Sequence, residues 1–381
     1  MIKIEAIEAC ILDVPTVRGH VLAMTTMHAQ SFVLVKIRFS DGSVGIGEGT
    51  AIGGLSYGPE SPESILSAIT TYIGPLLTGK PGDNINQAIG LMSRAVQGNQ
   101  IAKAAVEMAL WDGLARRMER PISALFGGAV RDQLPVAWTL ASGDLEVDID
   151  EAKQMLAAER HNIFKLEIGK RGVREDVAHV AAIQDAVGTQ ASIRVDVNQA
   201  WSLHEARWGL AGLQDIGVEL VEQPIKATDL AGLAALNSGE KIAIMADEAL
   251  SGPESALRFH AAADVFAVKI AQSGGLRAAG EVCAIAQAAG LGLYGGTMLE
   301  SGVGTAAALQ LFATLPEMKW GTELFGPLLF TDEILATPIE YANYNVLVPR
   351  GHGNGVELDH DKVSYYLRDG GRRGHLHAVK T

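Results

Sequence analysis

The sequence predicts an α/β protein, a (β/α)8-type barrel preceded by a compact α+β N-terminal domain. From residue 131 to residue 330, short apolar runs alternate with longer amphipathic ones. Near-continuous apolar strands separated by helical stretches indicate a parallel sheet covered on both faces. Eight such runs fit a barrel, whose site lies at the C-terminal ends of its strands. Residues 1–130 show a different order, strands first and helices after, as in a compact α+β unit. A doubly wound open sheet is the competing fold; no G-x-G-x-x-G follows a strand, which weakens a dinucleotide-binding version of it.

The first domain opens with "KIEAIEACILDV" and then "SFVLVKIRFSDGSVGIGEGT", antiparallel strands whose second pair turns at Asp41-Gly42. Helical patterns follow in "SPESILSAITTYIGPLL" and "IAKAAVEMALWDGLARRM", the latter with an apolar stripe at helical spacing. The expected barrel strands lie in "LPVAWTLA", "NIFKLEIG", "SIRVDVNQ", "GVELVEQP", "IAIMADEA", "VFAVKIAQ", "GLYGGTML" and "KWGTELFG". Stretches such as "LRAAGEVCAIAQAAG" supply the helices between them. Residues 331–368 are expected to return to the N-terminal domain, and residues 369–381 to form a flexible tail. His375 and His377 could bind a metal there, but a mobile end is a poor place for a site.

Composition narrows the function. Of 381 residues, 48% are hydrophobic and 20% charged, an ordinary globular balance. The net charge of −13, with no long basic run, disfavours nucleic acid and anionic membrane surfaces as partners. No run of about 18 apolar residues suggests a membrane span. The two cysteines, Cys10 and Cys283, are far apart in apolar contexts, which fits reduced thiols in a cytoplasmic protein.

Charged residues recur near the ends of the apolar strands: Lys165, Asp196, Glu222, Asp247, Lys269 and Glu323, at spacings of 31, 26, 25, 22 and 54 residues. One such acid is readily a helix cap. Three on consecutive strands would repel one another around a barrel mouth unless a cation lay between them. Carboxylates without a Cys or His pair suit Mg²⁺ or Mn²⁺, so Asp196, Glu222 and Asp247 are assigned as metal ligands. Asn198 shares a face with Asp196 and either orients a ligand, contacts substrate or starts a helix. Glu248 should point to the other face. Lys165 and Lys269 flank the trio and could act as acid, base or fixed counter-charge. A metal-bound carboxylate and a moving α-proton are the chemistry these parts suggest, as in enolase-type sites.

Over nearly its whole length the sequence resembles the muconate lactonizing enzymes (muconate cycloisomerases) of the enolase superfamily. The stretches that carry the resemblance are "LDVPTVRGH", "IGGLSYGPESPE", "VAWTLASGD", "RVDVNQAW", "EQPI", "IMADE", "LYGGTMLE" and "WGTELFGP". It implies an α/β fold of a modified (β/α)7β TIM-type barrel with an α+β N-terminal capping domain, Mn²⁺ on Asp196, Glu222 and Asp247, a homo-octamer, and lactonization of cis,cis-muconate to muconolactone in catechol breakdown. It also implies that Glu323 is an active-site acid and that a loop from Arg18 to Met27, with "IGGLSYG", lines the substrate. Ile52 and Tyr57 are specificity candidates, against core and surface roles respectively; His20 either touches a carboxylate or is structural.

The departure is "FKLEIG" at 164–169. The family pattern there is Lys-x-Lys, its second lysine being the usual proton carrier. Lys165 matches the first position and Glu167 stands at the second. A carboxylate beside Lys165 and a divalent cation is expected to have a depressed pKa and to repel a dianionic substrate. Either proton transfer is impaired or redirected, or Lys269 carries the proton from the opposite face. The alternatives are a chloromuconate cycloisomerase, an N-acyl amino acid racemase or dipeptide epimerase, and a non-catalytic metal-binding scaffold. Glu167 disfavours the racemase, which needs two proton carriers.

Overall fold

The computed structural model describes residues 2–239 and 241–368, so His375 and His377 lie outside the described residues. The N-terminal part is a three-stranded antiparallel sheet, β1 (Ile4–Val21), β2 (Thr26–Phe39) and β3 (Val44–Thr50). Gly42 takes a φ of 83° in the β2–β3 turn, a conformation that glycine adopts at little cost. The helix Gln100–Arg117 lies against β3 so closely that a Cβ on Gly45 or Gly47 would stand 2.1 Å from the carbonyl oxygen of Ala109 or Ala105. Small residues on both partners permit that approach, and they explain why the strand reads "VGIGEGT".

The second part is a seven-stranded parallel sheet. Its strands are β5 (Trp138–Leu140), β6 (Ile163–Glu167), β7 (Ser192–Asp196), β8 (Leu220–Glu222), β9 (Ala243–Ala246), β10 (Val265–Val268) and β11 (Gly292–Gly295), preceded by the short β4 (Gln133–Pro135). Helices cover its outside, among them Val173–Val187 and Leu276–Ala288, each burying an apolar stripe. This is a TIM-type barrel with a capping domain.

The expected eighth strand, "KWGTELFG", forms no ladder of its own. It closes the barrel through one residue, Thr322, which bridges to Gly295 on one side and Val136 on the other. Glu323 N–H donates to Gly295 at 2.9 Å and Ala137 N–H to Thr322 at 2.8 Å. With Gly321 at a φ of 68° before it and a short helix starting at Gly326 behind it, the segment is too irregular for more.

Buried carboxylates join the two parts. Glu107, on the capping helix Gln100–Arg117, accepts the first N–H groups of the barrel helix Leu276–Ala288, from Leu276 at 2.7 Å and Arg277 at 3.0 Å. Glu48 of β3 accepts Ser301 N–H at 2.8 Å and Gly304 N–H at 2.9 Å. Free N–H groups and the positive end of a helix dipole offset part of the cost of burying such carboxylates, and burial still raises the Glu107 carboxyl to about 7. At the other end of the chain, Arg368 N–H donates to Ile11 at 2.9 Å, so the last described residues lie on the cap. Among the described residues both cysteines are free thiols, and no helix is long and apolar enough to cross a membrane.

Candidate active site at the barrel mouth

Strand register sets the site. Glu167 of β6 pairs with Asp196 of β7, and Asp196 with Glu222 of β8, so three carboxylates stand level on consecutive strands. Asp247 follows the last residue of β9 directly, and Lys269 follows β10 in the same way. Parallel strands of nearly equal length convert sequence spacing into one ring of side chains. The carboxylate oxygens of Asp196, Glu222 and Asp247 come within 4.8 Å of one another, and all three residues are buried.

The donor set fits a hard divalent cation. It is all oxygen, and Glu222 Oε1 and Asp247 Oδ1 are buried with no hydrogen-bond partner, as is Asn198 Oδ1 nearby. Unpartnered buried carboxylate oxygens are costly unless something cationic meets them. Burial and the neighbouring Asp196 push the Glu222 carboxyl well above its usual range, with Lys165 opposing.

The lysines divide the ring. Lys165 Nζ lies 2.5 Å from Glu323, 3.0 Å from Glu222, 3.2 Å from Asp196 and 4.0 Å from Glu167. Burial opposes its charge, but Glu222, Glu323, Asp196 and Glu167 outweigh that and hold the ammonium well above the ordinary lysine range. Lys269 Nζ lies 2.5 Å from Asp247 and donates to Tyr57 OH at 2.8 Å. Burial opposes its charge too, but Asp247 together with Glu222 and Glu323 outweighs that and raises the ammonium's pKa.

Glu167 departs from the expectation of a depressed pKa. Burial and Asp196 push its carboxyl well above the usual range, Lys165 only partly offsetting them, and its Oε2 is buried without a partner. The expectation counted Lys165 and a divalent cation; Lys165 by itself does not offset desolvation and the carboxylates of Asp196, Glu323 and Glu248.

Cap residues complete the cavity. His20, Leu22, Ile52 and Tyr57 line it together with Lys165, Glu167, Asp196, Asn198, Asp247, Lys269 and Glu323. Tyr57 is no surface aromatic: its hydroxyl donates to Asp247 at 3.0 Å and its ring faces the Lys269 ammonium, 5.0 Å from the ring centroid. Ile52 is both a core residue and part of the lining. His20 is 2% exposed, and burial, with Arg18 and Lys165 beside it, lowers its pKa to about 3, so it is neutral. Asn198 has a φ of 45° and its N–H donates to Asp196 at 2.9 Å, so it starts no helix and buttresses a ligand. The Arg18–Met27 stretch is mostly strand, since β1 runs to Val21 and β2 begins at Thr26. Arg18 pairs with Glu151 at 3.1 Å, and Met27 is a core residue. Glu248 is absent from the lining and has both carboxyl oxygens buried without a partner.

Sequence reasoning missed Gln223. It is fully buried, has a φ of 33°, accepts the N–H groups of Asp247 at 3.0 Å and Ala249 at 3.3 Å, and donates to Ile225 at 2.9 Å. It thereby ties the end of β8 to the end of β9 and fixes Asp247. A glutamine between a strand-end acid and a proline, in "EQP", was the available signal. Thr139, Thr297, Leu299 and Phe325 also line the cavity.

Comparison with known proteins agrees with this geometry. Residues 6–127 match the mandelate racemase/muconate lactonizing enzyme N-terminal domain, and residues 148–362 the enolase C-terminal domain-like family. Muconate cycloisomerase 1-2 of Acinetobacter lwoffii is 54% identical over 370 residues, covering 97% of this chain and 96% of that protein. Chloromuconate cycloisomerase CbnB of Cupriavidus necator is 47% identical over 368 residues, covering 96% of this chain and 99% of that one. The crystal structure of muconate lactonizing enzyme from Pseudomonas fluorescens complexed with muconolactone superposes with a TM-score of 0.95 at 49% identity, over 96% of this chain and 99% of that one.

Proposed function

Because the chain belongs to the muconate lactonizing enzymes of the enolase superfamily, we propose that it is a Mn²⁺-dependent cycloisomerase closing cis,cis-muconate to muconolactone in catechol breakdown, with Lys269 as its proton carrier. The observation that carries this reading is the Asp196, Glu222 and Asp247 trio between two buried lysines. Those three carboxylates would hold the ion, Mg²⁺ being the other candidate. Once bound, it supplies a Lewis acid for a substrate carboxylate.

The chain's own residues do the rest. The substrate's carboxylate oxygen bonds to the far carbon of a double bond while Lys269 Nζ delivers a proton to the near carbon. Tyr57 accepts a hydrogen bond from that Nζ and aims it. Lys165, spread over four carboxylates, balances charge. Glu167 lines the pocket beside Lys165, and its raised carboxyl repels a dianionic substrate less than an ordinary carboxylate would. Ile52 and Tyr57 shape the cap side of the pocket, and neutral His20 and Asn198 are placed to contact the substrate's polar groups. Leu22 and the other cap residues over the mouth exclude water. A homo-octamer in the cytoplasm is the expected assembly, which light scattering on purified protein checks.

The test is loss of the conjugated diene by ultraviolet absorbance, with Mn²⁺ and with chelator. Turnover should need the ion. The absence of diene loss at high protein concentration would leave a metal-binding scaffold. Relative kcat/KM on muconate and chloromuconate then sets substrate preference.

A further inference from the structure

The catalytic cavity is small. Its volume is about 30 Å³, where one water needs about 10–15 Å³ on a comparable measure. A six-carbon dicarboxylate does not fit without more room. That room lies next door, in a cavity of about 260 Å³ that shares Leu22 and Glu167 with the catalytic one. Its walls are the turn after β1 (Val21, Leu22, Ala23), the segment after β5 (Leu140, Ala141, Gly143) and the loop after β6 from Ile168 to Arg171.

The charges of this second cavity are arranged by depth. Asp148 and Asp176, 2% and 1% exposed, sit on its floor and are committed: Asp148 accepts Ser142 N–H at 3.0 Å and faces His179 at 3.6 Å, and Asp176 accepts Gly169 N–H at 3.0 Å. Lys170 and Arg171 stand exposed at the rim. Lys170 has no partner among the described residues. Arg171 spans the opening to the carbonyl of Gly143 at 2.7 Å, and its charge partly offsets that of the buried Asp176. On a protein of net charge −13, two exposed cations beside an opening give an anion a local reason to approach there.

We infer that this second cavity is the access chamber for a dianionic dicarboxylate, received by Lys170 and Arg171 and passed between Leu22 and Glu167 to the carboxylate trio. The inference rests on the dicarboxylate reading of the site. The wall it must pass is one buried leucine on a short turn: Leu22, 6% exposed, sits in a four-residue turn whose backbone bonds are Leu22 N–H to Thr25 at 2.8 Å and, just before it, Val21 N–H to Ala141 at 2.9 Å. A swing of that turn merges the two cavities.

The experiment follows adipate, a non-reacting dicarboxylate, binding to Mn²⁺-loaded protein by stopped-flow tryptophan fluorescence. The Lys170→Gln/Arg171→Gln double variant should associate about ten-fold more slowly at low ionic strength, the low end of steering effects. That gap should close as salt shortens the Debye length below about 10 Å. Arg171→Lys should associate at nearly the unmodified rate, separating charge from the tie to Gly143. Ala23→Trp, which narrows the chamber alone, should slow association and dissociation together and leave the equilibrium constant unchanged. Thermal melts confirm folding of each variant. Unmodified rates in both the double variant and Ala23→Trp would overturn the chamber as the route, while diene turnover would keep the proposed function standing. A protein that neither binds adipate nor consumes the diene would overturn both.

Discussion

Lys165 and Lys269 reach the same cavity from strand ends on either side of the metal trio, yet their surroundings differ in kind. Lys165 is ringed by Glu323, Glu222, Asp196 and Glu167, all within 4.0 Å. Lys269 has one carboxylate, Asp247, and one neutral hydroxyl, Tyr57. An ammonium shared among four acids is an internal counter-ion, and moving its proton would strand them. One with a single acid and a phenol can give up a proton and be restored. On the proposed function, the difference assigns the structural role to the Lys165 side of the ring and the chemical role to the Lys269 side.

The most complete way to break the comparison is to remove what both sides flank. Asp196→Asn, Glu222→Gln and Asp247→Asn should each weaken Mn²⁺ binding and abolish diene loss, with the barrel still folded by circular dichroism. Asp196→Asn and Glu222→Gln take a negative charge from a repelling cluster in which Lys165 keeps other partners, and should leave the metal-free protein as stable as before, or more so. Asp247→Asn instead strips Lys269 of its one carboxylate and should lower the melting temperature. Unchanged Mn²⁺ affinity in all three variants, by calorimetry, would place the ligands elsewhere.

Lys269→Ala tests the chemical side. Loss of a general acid is worth roughly 10²- to 10⁴-fold, and kcat should fall by that range with Mn²⁺ affinity retained. A full rate in Lys269→Ala would transfer the role to the other side of the ring. Gln223→Ala should act on the metal and not on the proton: Asp247 loses the acceptor for its N–H, and changes at such supporting residues typically cost about 10–100-fold in metal affinity. Gln223→Ala with unaltered Mn²⁺ binding would mean that β9 holds Asp247 unaided.

How much of this was legible in the sequence follows from what strands do. Period-two alternation and even spacing place Asp196, Glu222 and Asp247 on one ring with no knowledge of loops, because parallel strands of similar length end at one level. The short eighth strand was not legible, since the apolar run "KWGTELFG" carries no sign that Gly321 and the following helix leave one residue for pairing. Gln223 was hidden because its task is to accept N–H groups from a strand distant in sequence. The direction of the Glu167 shift was not legible for a related reason: sequence shows the lysine two residues away, but neither the burial nor the carboxylates arriving from β7 and the closing segment.

Glu167 is where the comparison sharpens most finely. If Lys269 carries the proton, Glu167 contributes at most a hydrogen bond to the substrate, and Glu167→Gln keeps a neutral donor of the same shape. A neutral hydrogen bond is worth about 0.5–1.5 kcal/mol, so diene loss in Glu167→Gln should stay within roughly ten-fold of the unmodified rate. Glu167→Lys installs the family's second lysine. It would place a new ammonium 4 Å or so from Lys165, at the distance Glu167 now keeps, and two neighbouring cations lower each other's pKa. That makes it a usable acid, but on a path Lys269 already serves, so kcat should rise by less than about ten-fold and KM should fall or hold level. A rise of roughly 10²-fold or more, the scale of a general acid newly supplied, would show that position 167 limits the reaction and that Lys269 does not carry the proton. Collapse of activity in Glu167→Gln would instead make the Glu167 carboxyl itself the donor.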